Sequence, residues 1–204
     1  MVITDIGIYK GETAFVELDG DEKIFLHQSI VYEYNLKKDM NIPQSALDEV
    51  INENLFRKAK ERALYLLDNR EYGFVEMYKK LENNYDEDIC LRVCRRLAEL
   101  GLINDRRYAA RLAEHYCCTK KYGYYRARQE MSLKGIGKDI TEEALAELAD
   151  GTMERLEELV EQKYERGLDS EKGVKKVKGA LARMGYSYSE IQGVLDLYEL
   201  DFDE

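Results

Sequence analysis

Residues 123–140 read GYYRARQEMSLKGIGKDI, and a related pattern occurs three times along the chain. In each copy a glycine opens a helical pattern, and a residue suited to a left-handed helix end follows eleven or twelve positions later. The opening glycines lie 50 residues apart; they are Gly73, Gly123 and Gly173, and the stops are Asn84, Gly135 and Gly185. Such a period predicts tandem three-helix repeats that stack into an elongated curved array.

The first 42 residues have a different composition from the rest. Three short segments are rich in β-branched and aromatic residues, and Asp19-Gly20 supplies a hairpin turn between the second and the third. The sequence therefore predicts a small antiparallel β meander in an otherwise mainly α-helical protein, followed by a short helix from Ser29 to Asn35. The predicted strands are Val2 to Tyr9, Thr13 to Leu18 and Lys23 to Leu26.

Helical spacing of apolar residues begins after Pro43, which suits the first turn of a helix because it lacks an amide hydrogen. Two connecting helices are expected, one carrying Leu47 and Val50 and the next carrying Ala59 and Ala63. The predicted divisions are 1–42 for the meander and short helix, 43–69 for the connecting helices, 70–100 for the remainder of repeat 1, 101–150 for repeat 2, 151–199 for repeat 3 and 200–204 for an acidic tail.

Several residues are expected to begin or end helices. Gly101 suits a helix end, and Asn104 suits an N-cap because its side chain can accept a backbone N–H. Asp139 and Thr141 are candidate caps of the last helix in repeat 2. Either Ser187 or Ser189 caps the final helix of repeat 3.

Charge is distributed unevenly along the chain. The 204 residues carry a net charge of −10, which argues against a nucleic-acid coat protein, yet residues 89–138 hold twelve Lys and Arg against four Asp and Glu. The sequence has no secretory leader and no run of 18 apolar residues, so a cytoplasmic location is expected. The middle repeat is therefore predicted to meet an anionic partner while the flanking segments keep the protein soluble.

The candidate contact residues are cations and a tyrosine from the basic middle part of the chain. In the segment Lys120 to Arg128 cations alternate with tyrosines, which is typical of single-strand binding, although a tyrosine there can also pack between helices. For the arginines before it, the alternative is ordinary surface pairing with acids such as Glu99. The candidates are Arg92, Arg95, Arg96, Arg106, Arg107, Arg111, Lys120, Lys121, Tyr124, Arg126 and Arg128.

Signals for catalysis and for metal binding are weak. Cys90, Cys94, Cys117 and Cys118 form no CxxC pair, so they are expected to be small buried side chains rather than zinc ligands. The segment Gly135 to Asp139 resembles a phosphate-binding loop only superficially, because it lacks the earlier glycine and the hydroxyl residue after lysine. No catalytic residue, metal or cofactor is predicted.

A family resemblance rests on several segments between residues 55 and 198. The sharpest is Gly101-Leu102-Ile103-Asn104-Asp105, followed by Tyr108-Ala109; the others are Ala63-Leu64-Tyr65-Leu66-Leu67, Glu130-Met131, Lys134-Gly135-Ile136 and Leu181-Ala182-Arg183-Met184-Gly185-Tyr186. Together they resemble the RecX family of regulatory proteins, and the N-terminal meander resembles that of its longer members.

The resemblance implies a bacterial protein that binds the RecA recombinase, lies in the groove of its filament on single-stranded DNA, and modulates strand exchange, ATP hydrolysis and coprotease activity. It implies no catalytic residue, and a monomer is expected. The alternative is a helix-turn-helix DNA-binding transcriptional regulator, because three-helix units also occur there. That alternative needs a recognition helix aimed at base edges and usually a twofold dimer, and the sequence indicates neither.

Overall fold

The computed structural model describes residues 1–198 and confirms a mainly α-helical chain with a small antiparallel sheet at its N-terminus. The predicted acidic tail, 200–204, lies outside the described residues. The chain divides into two compact units: Met1–Arg70 with Tyr78–Leu100, and Glu71–Met77 with the residues from Gly101 onward. Within residues 1–198, no helix has the length and apolar character needed to cross a membrane.

The first unit begins with the predicted meander. Strands β1 (Ile3–Lys10), β2 (Thr13–Leu18) and β3 (Glu22–His27) form an antiparallel sheet in the order β1-β2-β3. Asp19 and Gly20 both have positive φ, 50° and 93°, as a tight hairpin turn requires. One face of the sheet covers an apolar core that includes Ile3, Val16, Leu18, Leu26, Ile30, Leu36, Ile42, Leu47 and Val50.

Two helices follow the sheet. Helix α1 (Gln28–Glu33) begins at His27, whose Nδ1 accepts the Ser29 N–H at 3.1 Å. Helix α2 (Gln44–Asn69) has Pro43 at its N-cap, one position before the expected first turn. The expectation of two connecting helices over 43–69 is wrong, because α2 runs through all 26 of its residues without a break.

The polar residue Asn54 explains why α2 continues where the apolar pattern weakens. Its side chain is 4% exposed and faces the edge of the sheet. Its Oδ1 accepts the His27 N–H at 2.8 Å, and its Nδ2 donates to the Phe25 carbonyl at 3.2 Å. Asn54 thus satisfies the edge of β3, so a polar residue inside this helix belongs to its packed face.

Helices α3 (Phe74–Leu81) and α4 (Glu87–Glu99) follow, and α4 packs against α2. Asp86 caps α4 by accepting the Ile89 N–H at 2.9 Å. Asn84 does not have the predicted left-handed conformation: the described non-glycine residues with positive φ do not include it. The reason is that α3 ends at Leu81, whose carbonyl accepts the Asn84 and Tyr85 N–H groups in an ordinary turn.

Between Gly101 and Tyr198 the second unit contains six further α-helices. They are α5 (Asp105–Glu114), α6 (Tyr124–Leu133), α7 (Lys138–Ala146), α8 (Thr152–Lys163), α9 (Glu171–Arg183) and α10 (Tyr188–Leu195). One apolar cluster joins α5, α6 and α7, with Ala109, Ala127 and Met131 fully buried. Another joins α8, α9 and α10, with Leu156, Leu181 and Val194 at its centre.

Several predicted helix ends are confirmed. Gly101, Gly135 and Gly185 have φ of 70°, 83° and 93°, the left-handed region in which a side chain is strained. Asn104 caps α5 by accepting the Arg107 N–H. Of the two serines considered for α10, Ser187 is the cap, and its side chain forms a reciprocal capping box with Glu190.

Two predicted helix starts are wrong. Gly173 lies in the first turn of α9, and the helix begins at Ser170, whose hydroxyl accepts the Gly173 N–H and is the better cap. Helix α7 begins after Gly137, which has no side chain to cap it, so neither Asp139 nor Thr141 is its cap. Thr141 lies inside α7 instead and is 2% exposed.

A close backbone contact joins the start of α6 to the end of α9. The Gly123 N–H donates to the Met184 carbonyl at 2.9 Å, and the Tyr125 N–H donates to the Gly185 carbonyl at 3.1 Å. Gly123 is the N-cap of α6, as predicted for an opening glycine. We call these four residues the main-chain junction, because no side chain separates the two segments.

Candidate functional site

The basic segment between α5 and α6 is a structured turn. A π-helical stretch, His115–Thr119, extends α5, and the Lys120 N–H closes it by donating to the His115 carbonyl. Lys121 then has a φ of 54°, which is uncommon for a residue with a side chain. Its carbonyl accepts the Tyr186 hydroxyl at 2.9 Å, and burial raises the pKa of Tyr186 to about 12. The turn is therefore anchored to Tyr186, three residues beyond the end of α9.

The three tyrosines of this segment have different environments. Tyr122 packs against the α5–α7 core, stacks on Tyr116 at 6.1 Å between ring centroids, and lies under the Arg126 guanidinium. Tyr124 and Tyr125 meet edge to face at 5.4 Å and are 39% and 60% exposed. Tyr122 thus has a structural role in packing, which was the alternative to binding for a tyrosine of this segment. The rings of Tyr124 and Tyr125 are open to solvent.

Most candidate cations have acidic partners. Arg107 and Arg111 both bind the carboxylate of Glu71, at 2.9 and 3.1 Å. Lys121 binds Glu158 at 2.6 Å and lowers the pKa of that carboxyl. The other pairs are Arg92 with Glu53, Arg96 with Glu99, Arg106 with Glu143, Arg126 with Glu130 and Arg128 with Glu142. Glu99, one of the acids that the sequence suggested as a partner for these arginines, pairs with Arg96.

Two candidate cations remain exposed with no acidic partner within residues 1–198; they are Arg95 and Lys120. Arg92, Arg95 and Arg96 belong to the first compact unit, whereas the other candidates belong to the second. Within the second unit the structure brings together Lys120, Lys121, Tyr124, Arg126 and Arg128 around the start of α6. Arg126 and Arg128 lie two residues apart on α6 and face different sides of it: Arg126 lies over the Tyr122 ring, whereas Arg128 lies beside Glu142 of α7.

A cavity that the sequence did not predict lies between α6 and the first turn of α7. Its volume is about 360 Å³, within the range of roughly 300–1,000 Å³ that is common for ligand pockets. We call it the α6–α7 cavity; its polar and aromatic lining includes Tyr125, Arg128, Gln129, Ser132, Lys138 and Thr141. Two of its residues had drawn attention in the sequence: Arg128 as a candidate contact residue, and Lys138 in the loop that superficially resembles a phosphate-binding loop.

The cysteines are free thiols, and Cys90, Cys94 and Cys117 are buried as predicted. Burial raises the pKa of Cys94 to about 12 and also raises the pKa of Cys90 and Cys117. Cys118 is only partly buried. Among residues 1–198, no three His, Cys, Asp or Glu side chains are grouped as metal ligands.

We expect one of the four thiols, Cys118, to react rapidly with Ellman's reagent in the native protein, because a buried protonated thiol is a poor nucleophile. Cys118→Ser should remove the fast reaction; fast labelling of Cys94 would contradict its burial.

The folded-state pKa of Cys94 lies above the value of 9.0 for a free thiol. Ionisation of Cys94 therefore favours the unfolded chain as pH rises from 9 to about 12, and the stability of the fold falls over that range.

Comparison with known proteins identifies similar sequences over the whole chain. Residues 104–145 match the family described as RecX, second three-helix domain. A Regulatory protein RecX of Clostridioides difficile (strain 630) is 31% identical, over 100% of this chain and 98% of the relative. A protein of the same name from Streptococcus sanguinis (strain SK36) is 28% identical, over 93% of this chain and 74% of the relative.

Two solved structures have a similar fold. One, described as the crystal structure of regulatory protein RecX, has a TM-score of 0.75 at 23% identity and covers 96% of this chain and 98% of its own. The other, RecX from Lactobacillus salivarius, has a TM-score of 0.65 at 29% identity and covers 72% of this chain and 99% of its own. The first likeness extends over nearly the whole chain.

Proposed function

We propose that this chain, which belongs to the RecX family of regulatory proteins, binds RecA and its filament on single-stranded DNA. In this proposal it modulates strand exchange, ATP hydrolysis and coprotease activity, without catalysis of its own, in the cytoplasm and in DNA repair, recombination and the SOS response. The observation that carries the proposal is the match to a regulatory protein RecX over the full length of both chains.

The electrostatics of the α5–α7 region support an anionic partner. An ion pair open to solvent contributes only about 0–1 kcal/mol, so carboxylates such as Glu142, which lies 3.7 Å from Arg128, hold their arginines weakly. A phosphate or an acidic surface can replace them at little cost in folding stability. Lys120 has no acidic partner within the described residues and Tyr124 is exposed, so both are available to a partner without rearrangement.

The proposal is tested by adding the protein to RecA on single-stranded DNA. We expect a change in ATP hydrolysis and strand exchange at substoichiometric ratios, together with co-sedimentation with the filament. If the protein neither changes these activities nor co-sediments, the proposed function is wrong.

The double variant Arg126→Glu with Arg128→Glu should bind the filament more weakly. If both side chains contact phosphates, the slope of log K against log salt should fall by about 1.4, since each single-strand contact contributes about 0.7. The matched control is Lys175→Glu with Lys176→Glu, two exposed cations on α9 whose reversal changes the net charge equally. Equal losses for both double variants would indicate a general charge effect and remove Arg126 and Arg128 from the interface.

A further inference from the structure

The α6–α7 cavity has the charge of an anion site. No Asp or Glu lines it, whereas Arg128 and Lys138 both do. Both cations approach the same oxygen of Glu142, Oε1, at 3.7 and 3.8 Å. These distances are longer than hydrogen bonds, so the N–H groups of both side chains remain free to bind another acceptor. The single carboxylate beside them marks a position where negative charge is favoured.

The hydroxyl of Thr141 lacks a partner beside this position. Thr141 lines the cavity and is 2% exposed, and its Oγ1 forms no hydrogen bond. An unpaired buried hydroxyl destabilises a fold, so native structures rarely contain one. A ligand oxygen entering beside Arg128 and Lys138 would provide the missing partner after a rotation of the Thr141 side chain.

The start of α7 also favours an anion in this cavity. Gly137 provides no side-chain cap, so the N–H groups of the first turn are not capped by it. The partial positive charge of a helix N-terminus favours phosphate, and Lys138 and Thr141 place this turn against the cavity. Asp139, which also lies in the first turn, does not line the cavity. The cations, the hydroxyl and the helix terminus therefore all favour an anion with several oxygens.

The α6 side of the cavity, which carries Arg128, also carries an aromatic side chain, Tyr125. Tyr125 is 60% exposed, and Tyr124 contacts it edge to face at 5.4 Å, which restrains its ring. An exposed ring of this kind stacks on planar bases, and bases are accessible for stacking when they are unpaired. Gln129 and Ser132 add neutral donors and acceptors to the lining.

We propose that the α6–α7 cavity binds one nucleotide of a single-stranded nucleic acid, with its phosphate at Arg128, Lys138 and Thr141 and its base on Tyr125. This inference rests on the proposed function, because it names the component of the filament that this surface contacts. It goes beyond general electrostatic attraction in requiring a specific pocket and an unpaired base.

The test measures binding of a fluorescein-labelled oligo(dT) to the full chain at low salt without RecA, by fluorescence anisotropy. We expect Lys138→Gln to weaken binding about fivefold and Tyr125→Ala about tenfold. Glu142→Gln should tighten binding, because it removes the competing carboxylate. Lys176→Gln, a lysine on α9 outside the cavity, is the control for charge loss and should bind as the wild type does.

Thr141→Val distinguishes an effect on binding from an effect on folding stability. Removing an unpaired hydroxyl should raise the melting temperature by about 2–4 °C. The same variant should bind oligo(dT) more weakly, so a more stable protein would be the poorer binder. If oligo(dT) binding is unchanged in Thr141→Val, Tyr125→Ala and Glu142→Gln, the cavity is not the site.

Competition distinguishes a nucleotide site from a simple anion site. Thymidine 5′-monophosphate should displace the labelled oligonucleotide better than either thymidine or inorganic phosphate. Equal competition by inorganic phosphate and the nucleotide, with no effect of Tyr125→Ala, would overturn base stacking. Because these measurements omit RecA, the cavity inference can fail while co-sedimentation with the RecA filament persists, and the reverse can also occur.

Discussion

Gly123→Ala should destabilise the second compact unit by about 3 kcal/mol or more. A Cβ at Gly123 would lie 2.5 Å from the Gly185 carbonyl carbon and from the Tyr186 amide nitrogen, and closer still to the Gly185 carbonyl oxygen. These are backbone atoms, so no side-chain rotation relieves the clash. The main-chain junction would have to open, with loss of the hydrogen bonds from Gly123 to Met184 and from Tyr125 to Gly185. Urea unfolding followed by circular dichroism measures the effect.

The matched control is Gly179→Ala, within α9 of the same unit. A Cβ there would meet only the Arg183 side chain, at 3.6 Å, which is ordinary van der Waals contact. Alanine in a helix interior is favoured over glycine, so this variant should gain about 0.5–1 kcal/mol. Opposite signs for the two substitutions are expected; a neutral Gly123→Ala would show that the junction is not closely packed.

Asn54→Leu should destabilise the first compact unit by about 2–4 kcal/mol. The replacement keeps the branched arrangement of heavy atoms but leaves the His27 N–H and the Phe25 carbonyl without their partner. Both groups lie at the edge of β3, where α2 covers them. The loss should appear in urea unfolding and as faster hydrogen exchange at the His27 amide.

Asn52→Leu is the control for Asn54→Leu. Asn52 lies two residues earlier on α2 and is exposed, so its replacement should change the free energy of unfolding by no more than about 0.5 kcal/mol. If both variants lose the same stability, the destabilisation comes from leucine in α2 and not from the contact with the sheet.

Local signals in the sequence were sufficient for much of the fold. The Asp19-Gly20 turn, the left-handed Gly135 and Gly185, and the Asn104 cap all depend on a few adjacent residues, and the structure confirms them. Asn84 shows the limit of such signals. Asn tolerates the left-handed conformation but does not require it, and the chain there closes an ordinary turn.

The features that the sequence did not predict depend on contacts between residues far apart in the chain. The continuity of α2 depends on a bond from Asn54 to a strand 27 residues earlier. The acidic partners of Arg92 and Arg106 lie 39 and 37 residues away, whereas the sequence suggested nearby acids for these arginines. The α6–α7 cavity likewise needs the packing of two helices, and an unpaired hydroxyl such as that of Thr141 is visible only in three dimensions.

The π-helical stretch His115–Thr119 sets the direction, about the axis of α5, in which the residues that follow it point. Its closing bond, from the Lys120 N–H to the His115 carbonyl, spans five residues where an α-helix spans four. One extra residue in a helix turns the following chain by about 100° about the axis. Lys120 and Lys121 therefore point in a direction that a regular continuation of α5 would not give them. The loss of a single residue here would redirect the basic turn by more than a quarter of a circle, with no change in its composition.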